Sequence, residues 1–389
     1  MTNSGYDDDL QQIRDSVLKL CAAFGDPYWL ERDRTATFPE DFYRAIADAG
    51  WLGIAMPEAL GGAGLGIREA AVLMQAIAES GAAMSGASAV HMNIFGLQPV
   101  VVYGTAEQQQ RMLPPLIRGE EKACFAVTEP DAGLNTTQIK TRAKRHGDRY
   151  VVSGRKIWIS TAQVAHKVLL LARTTPLDNC KRRTDGLTLF YTDFDRARIE
   201  ARVIHKMGRH AVDSNLLFID QLEIPESDRI GPEGEGFRCI LHGMNPERIL
   251  IAAEAVGIGR VALRRAAAYA AERVVFDRPI GQNQGIQHPL AKCWMEVEAA
   301  NLMVLHAASL YDAGRECGAE ANAAKYLAGE AAFAACEAAV LTHGGMGYST
   351  EYHVERYLRE SMITRIAPIS PHLILNFIAE RVLGLPKSY

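Results

Sequence analysis

The chain has 389 residues, 48% of them apolar and 23% charged, with a formal net charge of −4. That length exceeds one compact core and suits two or three domains, while the slight acidity offers no basic footprint for nucleic acid. Seven scattered cysteines form no C-x-x-C pair, which argues against a disulfide framework or a metal site, and no apolar run approaches the ~18 residues of a membrane span.

The N-terminal MTNSGYDDDLQQ is polar and acidic, unlike a signal or transit peptide, so a cytoplasmic location is expected. Residues 39–50 predict a helix that starts with Pro39 and ends on Gly50. Residues 68–80 and 107–118 show the same apolar spacing. Between residues 50 and 68, PEALGGAGLG (57–66) is a glycine-rich loop, with no preceding strand and no following Lys-Ser/Thr to mark a phosphate cradle. From 122 to 232 the pattern turns to short β-prone runs at 150–152, 168–171, 187–190 and 216–219, separated by turn residues. The remainder returns to helix rich in alanine, which suits a closely packed bundle. The fold class predicted is α+β, mainly α: a helical domain over 1–121, an antiparallel β domain over 122–232 and a helical bundle over 233–389.

Four motifs carry chemistry. CFAVTEPDAG (124–133) offers the Thr128 hydroxyl and a turn at Pro130 and Gly133. KIWIS (156–160) adds the Trp158 ring, with Ser160 on the same side if the run is a strand. ERVVFDRPIGQNQGIQHPLA (272–291) places Arg273, whose guanidinium can donate two parallel hydrogen bonds to an anion. HGGMGYSTEYHVER (343–356) has glycines that permit close backbone approach.

In this order and spacing, the motifs resemble those of the acyl-CoA dehydrogenase family from about Phe38 to Tyr389. The resemblance implies that family's fold, with a C-terminal four-helix bundle, an FAD cofactor and desaturation of acyl-CoA thioesters between Cα and Cβ. It further implies electron transfer to an electron-transfer flavoprotein, and a homo-oligomer, normally a tetramer. By resemblance, Phe125, Val127, Thr128, Trp158, Ile159 and Ser160 meet the isoalloxazine, with the Ser160 hydroxyl near flavin N5. Arg273, Phe276, Gln284 and Gln287 stand where the family reaches the diphosphate and adenosine of FAD in a neighbouring subunit. Gly344, Gly345 and Ser370 complete the cofactor positions. Asp277 replaces a usual glycine, and Leu341 a usual glutamine.

The segment that carries the catalytic glutamate in most members reads Arg365-Ile366-Ala367-Pro368-Ile369-Ser370. Proline stands in the glutamate's place and has no N–H to polarise the thioester carbonyl. Glu247, in Asn245-Pro246-Glu247-Arg248, matches the base position of isovaleryl- and long-chain-type members. It also reads as a first-turn acid behind Asn245 as N-cap. Glu254, two turns on, reads as a salt-bridged core acid, a modulator of Glu247, or the base itself. On the substrate side, Asn245 and Arg248 match positions lining the CoA channel, and Leu134 replaces a serine that commonly contacts the CoA arm. A carrier-protein thioester, an oxidase or desulfinase-like lyase, and a non-catalytic flavoprotein scaffold stand as alternatives.

Overall fold

The structure is a computed structural model that describes residues 7–388. Its N-terminal block is helical: α1 (Asp8–Cys21), α2 (Asp26–Thr35), α3 (Glu40–Asp48), α4 (Ile67–Ile77), α5 (Ala83–Phe95), α6 (Gln98–Tyr103) and α7 (Ala106–Ile117). Pro39 caps α3 rather than opening it, and the chain leaves through Gly50 at φ +79°, a conformation glycine adopts without strain. The 57–66 loop owes a glycine to packing. A Cβ on Gly62 would stand 2.2 Å from the Met56 carbonyl oxygen.

The middle block is a sheet of eight strands: β1 (Ala123–Ala126), β2 (Arg142–His146), β3 (Arg149–Ser160), β4 (Lys167–Arg173), β5 (Leu187–Asp193), β6 (Ile199–Val203), β7 (Ser214–Pro225) and β8 (Arg229–Ile230). The order is β6-β7-β3-β2-β4-β5-β8, with β1 also paired to β4. Most pairings are antiparallel, as expected, but the expectation is corrected at β1 and β2, which both run parallel to β4. β1 has no hairpin partner and joins β4 only after the chain has passed through β2 and β3. β4 is buried on both faces: Leu169 and Leu171 enter a layer shared with Leu113 and Leu116 of α7, while Val168 and Leu170 enter the opposite layer.

The C-terminal block comprises α8 (Gly236–Leu241), α9 (Met244–Glu272), a small hairpin of β9 (Val274–Val275) and β10 (Arg278–Pro279), α10 (Gln284–Asp312), α11 (Gly318–His343), α12 (Val354–Ile366) and α13 (Pro371–Phe377). Helices α9, α10 and α11 pack on one another, α12 packs on α11, and α4 packs on α9. One apolar core runs from Trp29 and Phe42 through Ile77 and Val90 to Val256, Val304 and Tyr357, so the two helical blocks share it. The α4–α9 crossing is close because Gly257 has no side chain. A Cβ there would lie 2.3 Å from the Gln75 carbonyl oxygen. Residues Val354–Val382 are together long and apolar enough to cross a membrane, which the sequence reading did not anticipate. The stretch is broken between Ile366 and Pro371, where α12 ends and α13 begins.

Candidate active site

The Thr128-Glu129-Pro130 turn is clamped to β3 by the Ile157 N–H, which donates to the Thr128 carbonyl at 2.9 Å. A buried ion pair holds the turn from below. The Glu129 carboxylate accepts from Lys156 Nζ at 2.9 Å and from the Lys140 and Thr141 N–H groups at 2.6 and 2.9 Å. Lys156 Nζ also donates to the Val127 carbonyl at 2.9 Å. Lys156 is fully buried, and burial pushes its ammonium down to about 8 despite the opposing pull of Glu129. The sequence reading missed this pair, because a lysine inside a strand ordinarily points to solvent.

Beyond Lys156, β3 shifts register against β7, and Trp158 takes φ +62°. Its ring is 56% exposed, while Ile159 turns into the sheet core and Ser160 is half-buried. The expectation that Ile159 contacts a cofactor is therefore limited to its backbone. Val127 is buried in the layer facing α7, Phe125 packs half-buried against that layer, and the Thr128 hydroxyl has no hydrogen-bond partner among the described residues.

The other predicted cofactor residues lie on the C-terminal block and face outward. Arg273 caps α9, and Phe276 and Asp277 form the hairpin turn at φ +53° and +61°. Asp277 thus occupies a left-handed position that explains a glycine preference there. Phe276 is 92% exposed and Tyr348 is 90% exposed. Gln284 opens α10, and Gln287 Nε2 donates to the Gly281 carbonyl at 2.7 Å. Gly344 ends α11, and both Gly344 and Gly345 have open space where a Cβ would stand. Ser370 is engaged within the chain, its hydroxyl capping α13 through the Leu373 N–H.

Glu247 lies in the first turn of α9, but Asn245 is not the cap, contrary to the sequence reading. The helix begins at Met244 behind Gly243, and the Asn245 side chain is committed to Arg248 and Cys317. Glu247 Oε2 is buried with no hydrogen-bond partner among the described residues. Burial pushes the carboxyl up to about 7, against the pull of His91 and Arg248. Glu254 is fully buried and meets His91 Nδ1 at 2.5 Å, and its negative charge adds to the rise at Glu247. His91, on α5, was not singled out from sequence. Burial would lower its pKa, but the Glu254 carboxylate outweighs this and raises it. Pro368 sits in the 367–370 loop, and Lys325 Nζ pins that loop by donating to the Arg365 and Ile369 carbonyls at 2.9 and 2.8 Å. The Ile369 N–H has no partner among the described residues.

A cavity of about 990 Å³ lies beside this loop, lined by Asn245, Arg248 and Ile369 together with Arg315, Arg381 and Lys387. Leu134 does not line it; that residue is 58% exposed on the loop after β1. The structure thus joins two of the three predicted substrate residues with three cations that the motifs did not reveal.

Three family models match in order: the acyl-CoA dehydrogenase N-terminal domain over residues 7–120, the middle domain over 124–222 and the C-terminal domain over 234–383. The chain belongs to the acyl-CoA dehydrogenase family. It is 37% identical over 399 residues to acyl-CoA dehydrogenase FadE12 of Mycobacterium tuberculosis (strain ATCC 25618 / H37Rv), covering 100% of both chains. Among solved structures it resembles the glutaryl-coenzyme A dehydrogenase glutaryl-CoA complex, with TM-score 0.93, 30% identity and coverage of 100% and 98%. A chain in the structure of the electron transferring flavoprotein of Acidaminococcus fermentans matches with TM-score 0.92, 29% identity and coverage of 98% and 100%.

An acyl-CoA dehydrogenase is an FAD-dependent oxidoreductase, and the residues present fit the cofactor. The uncommitted Thr128 hydroxyl and the bare Trp158 face suit an isoalloxazine. The open glycines at 344 and 345 suit close backbone approach by a ligand.

The raised Glu247 carboxyl carries a pH prediction. Below about 7 it holds its proton and cannot accept another, so flavin reduction that used Glu247 as its base should rise with pH around a midpoint near 7. Stopped-flow absorbance across pH 5–9 checks this; a flat profile would separate Glu247 from the reaction.

Proposed function

We propose that this chain desaturates an acyl-CoA thioester between Cα and Cβ, with Glu247 as the base that removes the α-proton. The observation that carries this reading is the buried, unpartnered Glu247 oxygen on a carboxyl poised near neutrality, in a chain whose 365–370 loop holds no acid. FAD, when bound, supplies the acceptor for the two electrons that leave with the β-hydrogen. Ser160 and Thr128 hold the flavin edge, and Trp158 covers ring surface.

Proline at 368 removes the usual N–H, and the free Ile369 N–H takes over the thioester carbonyl, held in place by Lys325 on the Ile369 carbonyl. Arg248, Arg315, Arg381 and Lys387 give the adjoining cavity the charge that CoA phosphates require. The exposed Phe276, Leu341 and Tyr348, and the apolar run through α13, are surface that a homo-oligomer, a tetramer by family norm, would cover. An electron-transfer flavoprotein serves as acceptor, in keeping with the chain of the Acidaminococcus fermentans structure that this one resembles.

Anaerobic mixing of the holoenzyme with short, branched and long acyl-CoAs tests the reading. Bleaching of the flavin by at least one member is expected. A flavin that stays oxidised across the panel would contradict acyl-CoA dehydrogenation.

A further inference from the structure

Arg209 lies in the connection between β6 and β7 at φ +57°, a backbone region that non-glycine residues rarely adopt. Its guanidinium ties three elements together. Nη1 donates to Ser88 Oγ of α5 at 3.2 Å, and Nη2 donates to Ser160 Oγ and Ser214 Oγ, at the ends of β3 and β7, both at 3.0 Å. All three partners are neutral hydroxyls, and Arg209 forms no contact ion pair among the described residues, although the Glu254, Glu360 and Asp213 carboxylates act on its charge from further away. Arg209 lies outside the motifs read from the sequence.

The donor logic at Ser160 is one-directional. A guanidinium can only donate, so Ser160 Oγ accepts from it, and the serine's own proton is left over. That proton has no protein acceptor among the described residues. We propose that Arg209 is a positioning residue for the cofactor: it fixes Ser160 as a hydrogen-bond donor to the flavin edge, and its positive charge makes the bound flavin easier to reduce. The charge acts because reduction brings electrons onto the flavin, and a cation close by in a poorly hydrated site favours the electron-rich form. The inference rests on the placement of Ser160 at the flavin in the proposed function. It does not depend on any acyl-CoA being a substrate.

A purely structural Arg209, stapling α5 to the sheet, would affect the melting temperature and leave the flavin potential unchanged. The test is a spectroelectrochemical titration of the holoenzyme without acyl-CoA. Arg209→Gln keeps a donor but removes the charge. It is expected to retain FAD and to shift the reduction equilibrium at least tenfold towards oxidised flavin, about 30 mV for a two-electron couple. Arg209→Lys should recover part of that shift. Ser160→Ala should also lower the potential, and in the double variant the combined shift should be smaller than the sum of the two, because Arg209 acts in part through Ser160. A wild-type potential in FAD-loaded Arg209→Gln, or fully additive shifts, would overturn the proposal. Should the arginine variants not fold, an unchanged potential in Ser160→Ala would overturn it alone. A flavin that no acyl-CoA bleaches would sink the dehydrogenase reading and leave this measurement intact.

Discussion

Glu247→Gln is expected to keep FAD bound and to slow anaerobic flavin reduction by an acyl-CoA by about 10²–10⁴-fold, the usual contribution of a positioned general base. Glutamine preserves shape and polarity but cannot take up a proton. The substitution breaks no hydrogen bond at Oε2, since that oxygen has no partner among the described residues. Stability and flavin content should therefore stay close to the parent, and rapid-mixing absorbance reads the rate directly. Glu254 is the competing acid. Its Oε1 is already engaged by His91 in a buried pair, which suits a group that shapes the charge around Glu247, while its Oε2, like that of Glu247, has no partner among the described residues. A large loss in Glu254→Gln with a near-normal Glu247→Gln would transfer the base to Glu254.

The second large effect is structural and reaches the cofactor through the turn that presents Thr128. Glu129→Ala leaves the Lys156 ammonium buried without its counter-charge, and breaking a buried pair by removing one partner typically costs about 3–5 kcal/mol. It also strips the Lys140 and Thr141 N–H groups of their acceptor. The turn should loosen and FAD content should fall, readable by denaturant unfolding and by flavin absorbance per chain. The paired change Glu129→Gln with Lys156→Met removes both charges together. It should recover much of the stability, because no lone buried charge remains. A Glu129→Ala protein with unchanged stability and full flavin would show that the turn is held by other means.

The features legible in the sequence are those written locally. Helix α3 ends at a glycine, α7 begins with a Thr105–Gln108 capping box, and the β-prone runs lie within β3, β4, β5 and β7. The parallel pairing of β1 and β2 with β4 was not legible, because it depends on where distant segments meet. Asn245 looked like a helix cap by type. Helix α8 runs so close into α9 that Gly243 takes that position and frees the amide for Arg248.

The candidate site divides in the same way. Thr128, Trp158 and Ser160 stand out because their residue types and spacing form a motif. His91, Lys156, Arg209 and Lys325 carry no such pattern: each acts through a partner between 27 and 163 residues away in sequence. Lys156 could have been suspected from β3 alone, since the inward alternation of Tyr150 and Val152, continued across one bulge, brings it to the core face.

The most direct test of the central claim follows the α-proton itself. The holoenzyme is incubated in deuterium oxide with a β-thioether acyl-CoA analogue, which can lose an α-proton but has no β-hydrogen to transfer. Deuterium should enter Cα in the parent enzyme, faster as pH rises through about 7, and should not enter in Glu247→Gln. Equal exchange in both proteins, or none in the parent, would contradict Glu247 as the base of an acyl-CoA dehydrogenase.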